Sequence, residues 1–135
     1  MNAAALDLQE AVFVALKGHG PLVTMLGGPK VHDLTPAGLA FPYVTFGRAD
    51  VYDWSTDLDE GSEVLFTLHA WSKHRGRKEL LHLMQHVGEA LGGDAVALSS
   101  HHLVNLRLET TEIRHDEDLD VFEGAMHFRA VIEAA

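Results

Sequence analysis

The spacing of apolar residues constrains the fold of this chain more than any other feature of its sequence. Residues 63–71, 103–111 and 121–133 alternate apolar and polar side chains, with the period of two that defines a strand. Residues 77–91 instead repeat apolar side chains every three or four positions, which predicts a helix with one buried stripe. Hairpin strands combined with one long helix are typical of α+β domains, so this is the predicted fold class.

Shorter elements complete the prediction. Residues 3–16 lack Gly and Pro and predict an N-terminal helix, and residues 21–26 predict a second helical turn. Prolines limit residues 30–34 to a short strand, and β-branched and aromatic residues predict another strand at 42–46. The chain is therefore predicted to form a mainly antiparallel sheet of about four strands, packed against an N-terminal helix and one long central helix in a single domain, residues 1–135.

Two of the strands carry explicit predictions about burial. Residues 63–71 have apolar side chains on both faces, which predicts a central strand with something packed on each side. In residues 103–111, the alternation predicts that Val104, Leu106 and Leu108 face the core. Together with the helical stripe, these patterns assign the following residues to the core: Phe66, Leu68, Leu80, Val87, Leu106 and Phe128.

An acidic stretch separates two of the predicted strands. Six acidic residues and no basic residue occur between positions 50 and 63, together with Gly61 and several short polar residues. This composition predicts that residues 50–62 are a mobile hairpin arm rather than a packed element. Tyr52 and Trp54 lie in this arm, and aromatic side chains at exposed positions are typical of protein interfaces.

Basic residues cluster at one place only, residues 73–78, at the predicted turn from strand to helix. A nucleic-acid patch, a solvated turn, or a contact with the acidic arm of the same or a neighbouring copy would each explain the cluster. We favour the last, because opposite charges at two ends of a domain suit head-to-tail ring assembly. Folding of both segments back onto the domain's own core is an equally weighted alternative. The predicted interface residues are Tyr52, Trp54, Asp57, Asp59 and Glu60 on the arm, and Lys73, Arg75, Arg77 and Lys78 on the turn.

The overall charge excludes several classes of function. Ten Lys and Arg against twenty Asp and Glu give a formal net charge of −10. A protein that binds duplex DNA through its phosphates needs a basic face, and the balance here is the opposite. The same negative charge disfavours binding to anionic lipid. The sequence contains no run of eighteen apolar residues, so no segment is predicted to span a membrane. The absence of Cys excludes disulfides and thiolate nucleophiles.

Two groups of residues resemble catalytic motifs without matching them. His82 and His86 have the four-residue helical spacing that places two imidazoles on one face for zinc. The residues between them lack the glutamate of a metalloprotease helix, so a solvated helix flank is the preferred interpretation. Residues 99–102, Ser-Ser-His-His, lack the sharp turn that surrounds a catalytic serine. We therefore predict no catalytic residue, no cofactor and no metal.

Three alternating aspartates in residues 115–120 have the spacing of the first three ligands of a calcium-binding loop. Val121 and His127 occupy the positions where such a loop requires Gly and Glu, so the match fails. These residues are instead predicted to form a solvated hairpin loop whose charges oppose edge-to-edge aggregation.

Several short motifs follow one another along most of the chain. The motifs are an Ala-rich first helix, Val31-His32-Asp33, Phe41-Pro42-Tyr43-Val44-Thr45-Phe46-Gly47, Leu68-His69-Ala70-Trp71-Ser72 running into Arg75-Gly76-Arg77-Lys78-Glu79-Leu80, and Gly124-Ala125-Met126-His127-Phe128-Arg129-Ala130. In their order and spacing, these motifs resemble the tail-completion or tail-terminator proteins of long-tailed phages and gene transfer agents.

The resemblance implies a structural role without catalysis. It implies a subunit that forms a sixfold ring on the head-proximal end of the tail tube and stops tube polymerisation. The partners implied are further copies of the chain, the tail tube protein and the head-tail connector or stopper, with DNA only as passing cargo and no membrane. The location implied is the tail or neck of a virion or gene transfer agent particle, made in the host cytoplasm.

Two other functions stay open at this point. One is a different neck component, such as a head-completion or stopper protein, from which only Trp71-Ser72 and Arg129 separate the chain. The other is a small His-dependent metal enzyme, which metal analysis of untagged protein would distinguish from a ring subunit.

Overall fold

Helices and long antiparallel strands make up most of the chain. A computed structural model describes residues 3–135. The elements are α1 (Ala3–Lys17), α2 (Gly20–Leu26), β1 (Val31–His32), β2 (Tyr43–Asp53), β3 (Gly61–Ser72), α3 (Lys78–Ala90), β4 (His101–Asp116) and β5 (Val121–Ala134). No helix in this described part has both the length and the hydropathy that crossing a membrane requires.

The five strands form one sheet in the order β1-β2-β3-β5-β4. β1 pairs in parallel with β2, and the other three pairings are antiparallel. The predicted α+β class and the mainly antiparallel sheet are therefore confirmed. The central position predicted for residues 63–71 is confirmed as well, since β3 has two strands on either side.

One face of the sheet carries the hydrophobic core. Leu8, Val12 and Leu16 of α1 are buried there, as is the stripe of α3 that includes Leu80 and Val87. The helices cover the side chains that β3 and β5 alternate toward them, because each strand presents every second residue to that face. Those strand residues are Val64, Phe66, Leu68, Ala70, Met126, Phe128, Ala130 and Ile132.

The prediction that residues 50–62 form a non-packed arm is wrong at both ends of that range. β2 continues to Asp53 and β3 begins at Gly61, with Asp50 opposite Leu65 and Asp53 opposite Ser62. Only residues 54–60 remain outside the strands. Acidic residues are tolerated here because an antiparallel hairpin can expose one face to water.

The prediction that Val104, Leu106 and Leu108 face the core is confirmed only for Leu106, which packs against the core, and is wrong for the exposed side chains of Val104 and Leu108. Val104 is 49% exposed and Leu108 is 43% exposed, while Leu106 is only partly buried. Two bulges, between Leu103 and Asn105 and between Leu108 and Thr110, interrupt the alternation that the sequence displays. In addition, β4 lies at the edge of the sheet, where it pairs with β5 alone.

The face of the sheet opposite the helices is open. The sequence predicted packing on both sides of β3, but no element within residues 3–135 covers this second face. Leu65, His69 and Trp71 of β3 point to it and are partly buried by neighbouring side chains. The prediction of packing on this face is wrong because Leu65 and His69, although partly apolar, line a surface groove of about 580 Å³.

Candidate functional site

The two predicted interface segments lie at opposite ends of β3. The acidic loop (residues 53–60) leads into the start of this strand, and the basic turn (residues 73–78) follows its end. The first and last of the twelve residues of β3 are separated by eleven steps of about 3.3 Å, or about 36 Å. The structure therefore groups Tyr52, Trp54, Asp57, Asp59 and Glu60 at one end and Lys73, Arg75, Arg77 and Lys78 at the other. A contact between the two segments within one copy is excluded.

Local hydrogen bonds give the acidic loop its conformation. The hydroxyl oxygen of Thr56 accepts the N–H groups of Leu58 and Asp59, at 3.3 and 3.0 Å. Asp53 accepts the N–H of Ser55 at 2.8 Å, and hydrogen bonds from the Ser55 hydroxyl and N–H lower the pKa of the Asp53 carboxyl. The loop carboxylates point into water, and the side chain of Leu58 is 94% exposed.

Trp54 differs from the rest of the acidic loop because it partly returns to its own sheet. The Arg129 guanidinium lies 5.8 Å from the centroid of the Trp54 ring, and Arg129 also forms an ion pair with Glu63. About half of the Trp54 side chain stays exposed. The alternative that the arm folds back onto its own domain therefore holds for one face of Trp54.

The basic turn presents its cations to water. None of Lys73, Arg75, Arg77 and Lys78 forms an ion pair with a carboxylate of residues 3–135. Lys73 and Arg77 instead lie over the rings of Phe41 and Phe122, with distances of 5.3 and 5.5 Å to the ring centroids. Nearby, the buried Ser72 hydroxyl donates to the Glu79 carboxylate at 2.6 Å, which connects β3 to the first turn of α3.

The open face of the sheet carries a hydrogen-bonded network that the sequence reasoning missed. His127 donates from Nε2 to Glu112 at 2.8 Å, and its Nδ1 accepts the Thr67 hydroxyl at 2.9 Å. The hydrogen bond from His127 lowers the pKa of the Glu112 carboxyl. His69 donates from Nδ1 to Glu123 at 2.5 Å. The available signal was the polar half of the alternation in β3 and β5, which share this face only because the two strands pair.

A buried carboxylate joins α1 to the segment before β4, and the sequence analysis missed this as well. Asp7 is 7% exposed and accepts four hydrogen bonds, from Ser99 N–H and Oγ, Ser100 N–H and His101 Nδ1. Burial raises the pKa of Asp7, but the hydrogen bonds from His101, Ser100 and Ser99 outweigh burial and hold this pKa well below its usual range. The Ser99 hydroxyl therefore donates its hydrogen bond to the Asp7 carboxylate, and not to a histidine that could act as a catalytic base.

The two helical histidines lie in different surroundings. His82 is exposed on α3, in agreement with the predicted solvated flank. His86 is partly buried and donates from Nδ1 to Glu89 at 3.1 Å. The ring of His19, from the turn between α1 and α2, lies 6.2 Å from the ring of His86. Asp116 accepts backbone N–H groups in the β4–β5 turn. The predicted hairpin loop is therefore confirmed for residues 117–120 and is wrong for His115 and Asp116, which lie in β4.

Comparison with known proteins identifies similar chains. Residues 10–133 match the family model described as tail completion protein gp17. A chain of the virion of a native gene transfer agent (GTA) particle is 30% identical, with a TM-score of 0.89, over 99% of this chain and 100% of that one. Bacteriophage SPP1 gp17 protein shares the fold at 20% identity and a TM-score of 0.60, over 94% of this chain and 89% of its own. No curated protein matches the sequence.

Proposed function

Because the chain belongs to the tail completion protein gp17 family, we propose that it acts as the tail terminator of a phage or gene transfer agent particle. In this role, copies of the chain form a sixfold ring on the head-proximal end of the tail tube. One side of the ring contacts the tube protein and the other side contacts the connector or stopper of the head. DNA passes through the centre, and the subunit acts as structural material without catalysis.

The separation of the acidic loop from the basic turn is the observation that carries the ring proposal. A closed ring of identical subunits needs a heterologous interface, in which one patch of each copy meets a different patch of the next. The two segments have opposite charge and lie about 36 Å apart, at the two ends of β3. They are therefore suited to contact each other between copies.

The position of the basic turn supports a role in binding a partner. Arg77 is the N-cap of α3, and Lys78 is its first residue. Cations are unfavourable at a helix N-terminus, because the aligned peptide dipoles place partial positive charge there. Basic residues at this point do not stabilise α3, whereas a carboxylate from a neighbouring copy would stabilise both the helix end and the interface.

The net charge is compatible with a conduit for DNA. A formal charge of −10 per copy is multiplied by the number of copies in a ring. A polyanion passes such a surface without forming the many Lys and Arg contacts to phosphate that hold DNA on a binding protein.

A charge-swap experiment tests the ring interface. We expect Arg75→Glu with Arg77→Glu to prevent incorporation into tails, because the reversed turn repels the acidic loop of the next copy. The variant Asp57→Lys with Asp59→Lys should also not be incorporated into tails, because its loop would then repel the basic turn of the next copy. A chain that carries all four substitutions again has complementary patches and should assemble. Incorporation is measured by electron microscopy of particles made with each variant, and folding of each variant by circular dichroism.

A matched control uses the same change of charge at another place. Arg48 and Arg107 are exposed residues of β2 and β4, outside both segments, and Arg48→Glu with Arg107→Glu should assemble like the wild type. Normal incorporation of the basic-turn variant would overturn the interface. Failure of the four-substitution chain, with both two-substitution variants also failing, would show that the two segments bind other partners rather than each other.

Loss of the chain distinguishes a terminator from a stopper or head-completion protein. Without a terminator, nothing ends polymerisation at the head-proximal side of the tube, so tubes of irregular length are expected. Tails of normal length that fail to join heads would instead identify a component that acts after the tube has been closed.

A further inference from the structure

We propose that His19, His86 and Glu89 form a zinc-binding site that connects the α1–α2 turn to the last turn of α3. The three residues each offer one ligand atom, and these atoms all lie within 4.8 Å of one another. No other group of three such residues occurs in the part of the chain that the structure describes. The proposal is independent of ring formation and departs from the sequence-based prediction that the chain holds no metal.

The distances between the ligand atoms fit a zinc ion after small adjustments. Zinc bonds of 2.0–2.1 Å in tetrahedral geometry place neighbouring ligand atoms about 3.3 Å apart. Glu89 Oε1 lies 3.1 Å from His86 Nδ1 and 3.9 Å from His19 Nε2. The half-exposed Glu89 side chain can rotate to adjust both of these distances, and the two imidazole nitrogens lie within 4.8 Å of each other.

His19 supplies an independent reason to expect a ligand. Its Nε2 atom is buried and has no hydrogen-bond partner within residues 3–135. A buried polar atom without a partner costs free energy, and most such atoms in folded proteins are satisfied by protein, water or an ion. Zinc binding by the Nε2 lone pair would remove this cost.

The position of Glu89 at the end of α3 also favours a bound cation. Glu89 lies in the last turn of α3, which contains no basic residue. The C-terminal end of a helix carries partial negative charge, so a carboxylate at this position is unfavourable and a cation is favourable. A divalent ion bound to Glu89 would place positive charge at the negative end of α3, where charge of that sign is stabilising. The net charge of −10 also favours cation binding in general.

The ligand set selects the class of metal. Two imidazoles with one carboxylate suit zinc and its neighbours in the transition series, whereas magnesium and calcium prefer oxygen ligands alone. Three protein ligands leave one position of a tetrahedral ion for water. The site would join two segments that are 67 residues apart in sequence (86 minus 19), so zinc should stabilise the packing of α2 on α3.

The test uses untagged, chelator-treated protein and zinc alone. We expect calorimetric titration at pH 7.5 to show one zinc ion per chain bound at this site. At zinc 100-fold above the dissociation constant, the midpoint of thermal unfolding should rise by about 10 °C. Magnesium at the same concentration should give no rise. Binding should weaken below pH 6, because the imidazoles must lose their protons to bind the metal.

Variants separate this site from the other surface histidines. His19→Gln and Glu89→Gln should each abolish the zinc-dependent rise, and Glu89→Gln keeps an exposed side chain of the same size, so its fold is retained. His82→Gln is the matched control, since His82 lies on the same helix outside the cluster, and it should retain the full rise. The proposal is overturned if wild-type protein shows no rise with zinc, or if Glu89→Gln retains it.

Discussion

Asp7 offers a quantitative test of how the N-terminal helix is attached to the rest of the domain. Its carboxylate accepts four hydrogen bonds from three consecutive residues, Ser99, Ser100 and His101, that precede or begin β4. The perturbation we consider is Asp7→Ala, which removes every acceptor at once. His101 is mostly buried and would lose its Nδ1 partner, while the two serines are exposed and regain water.

The magnitude follows from these different surroundings. A hydrogen bond to a charged group contributes about 1.5–3 kcal/mol when its donor is shielded, and exposed donors contribute much less. One shielded donor and three exposed donors together indicate a loss of about 3 kcal/mol at pH 7 for Asp7→Ala. For a domain of this size, such a loss corresponds to a fall of about 10 °C in the unfolding midpoint.

The pH dependence has a definite sign. The pKa of Asp7 is lowered in the folded state, so its contribution is complete above the unfolded pKa of 3.8. The contribution decreases as the pH falls below that value toward the folded pKa. The difference in unfolding free energy between wild type and Asp7→Ala should therefore be constant from pH 7 to about pH 5 and shrink below pH 4.

Urea unfolding of both proteins between pH 7 and pH 3, followed by circular dichroism, measures this difference. Asp7→Asn is the matched control, because it keeps the size of the side chain and one acceptor oxygen but removes the charge. We expect an intermediate loss for Asp7→Asn. A difference below 1 kcal/mol at pH 7 for Asp7→Ala, or one that stays unchanged down to pH 3, would refute the reasoning.

The remaining predictions concern packing on the helix-covered face of the sheet. Phe128 is buried and stacks on Phe66 with 5.3 Å between ring centroids, so Phe128→Ala should cost about 3–5 kcal/mol in urea unfolding. Leu106→Ala should cost less than about 2 kcal/mol, because Leu106 on the edge strand is only partly buried; an equal cost for both would contradict the assignment of β4 to the edge. A Cβ at Gly124 would lie 2.5 Å from Met84 Sδ, so Gly124→Ala should cost about 1–3 kcal/mol. Combining it with Met84→Ala should cost less than the sum of the two single changes, and simple additivity would rule out this contact.

The sequence by itself determined the features that depend on local spacing. The period of two in residues 63–71 and the helical stripe of residues 77–91 predicted β3 and α3, and the buried positions Leu68 and Val87 follow directly. The acidic loop and the basic turn were also visible, because charge composition is a property of short segments. Local periodicity predicts buried positions because, in a regular helix or strand, each side chain is rotated by a fixed angle from the one before it, which determines which residues share a face.

Tertiary structure alone decided which elements lie beside each other. The pairing order puts β4 at the edge of the sheet and its bulges shift the alternation, so Val104 is exposed although its strand pattern resembles that of β3. The contacts of Asp7 with His101 and of His19 with Glu89 join residues that are distant in sequence. A one-residue bulge reverses the faces of a strand, and chain topology sets long-range contacts. Neither the bulges of β4 nor these long-range contacts leave a periodic signal in the sequence, so the sequence alone could not reveal them.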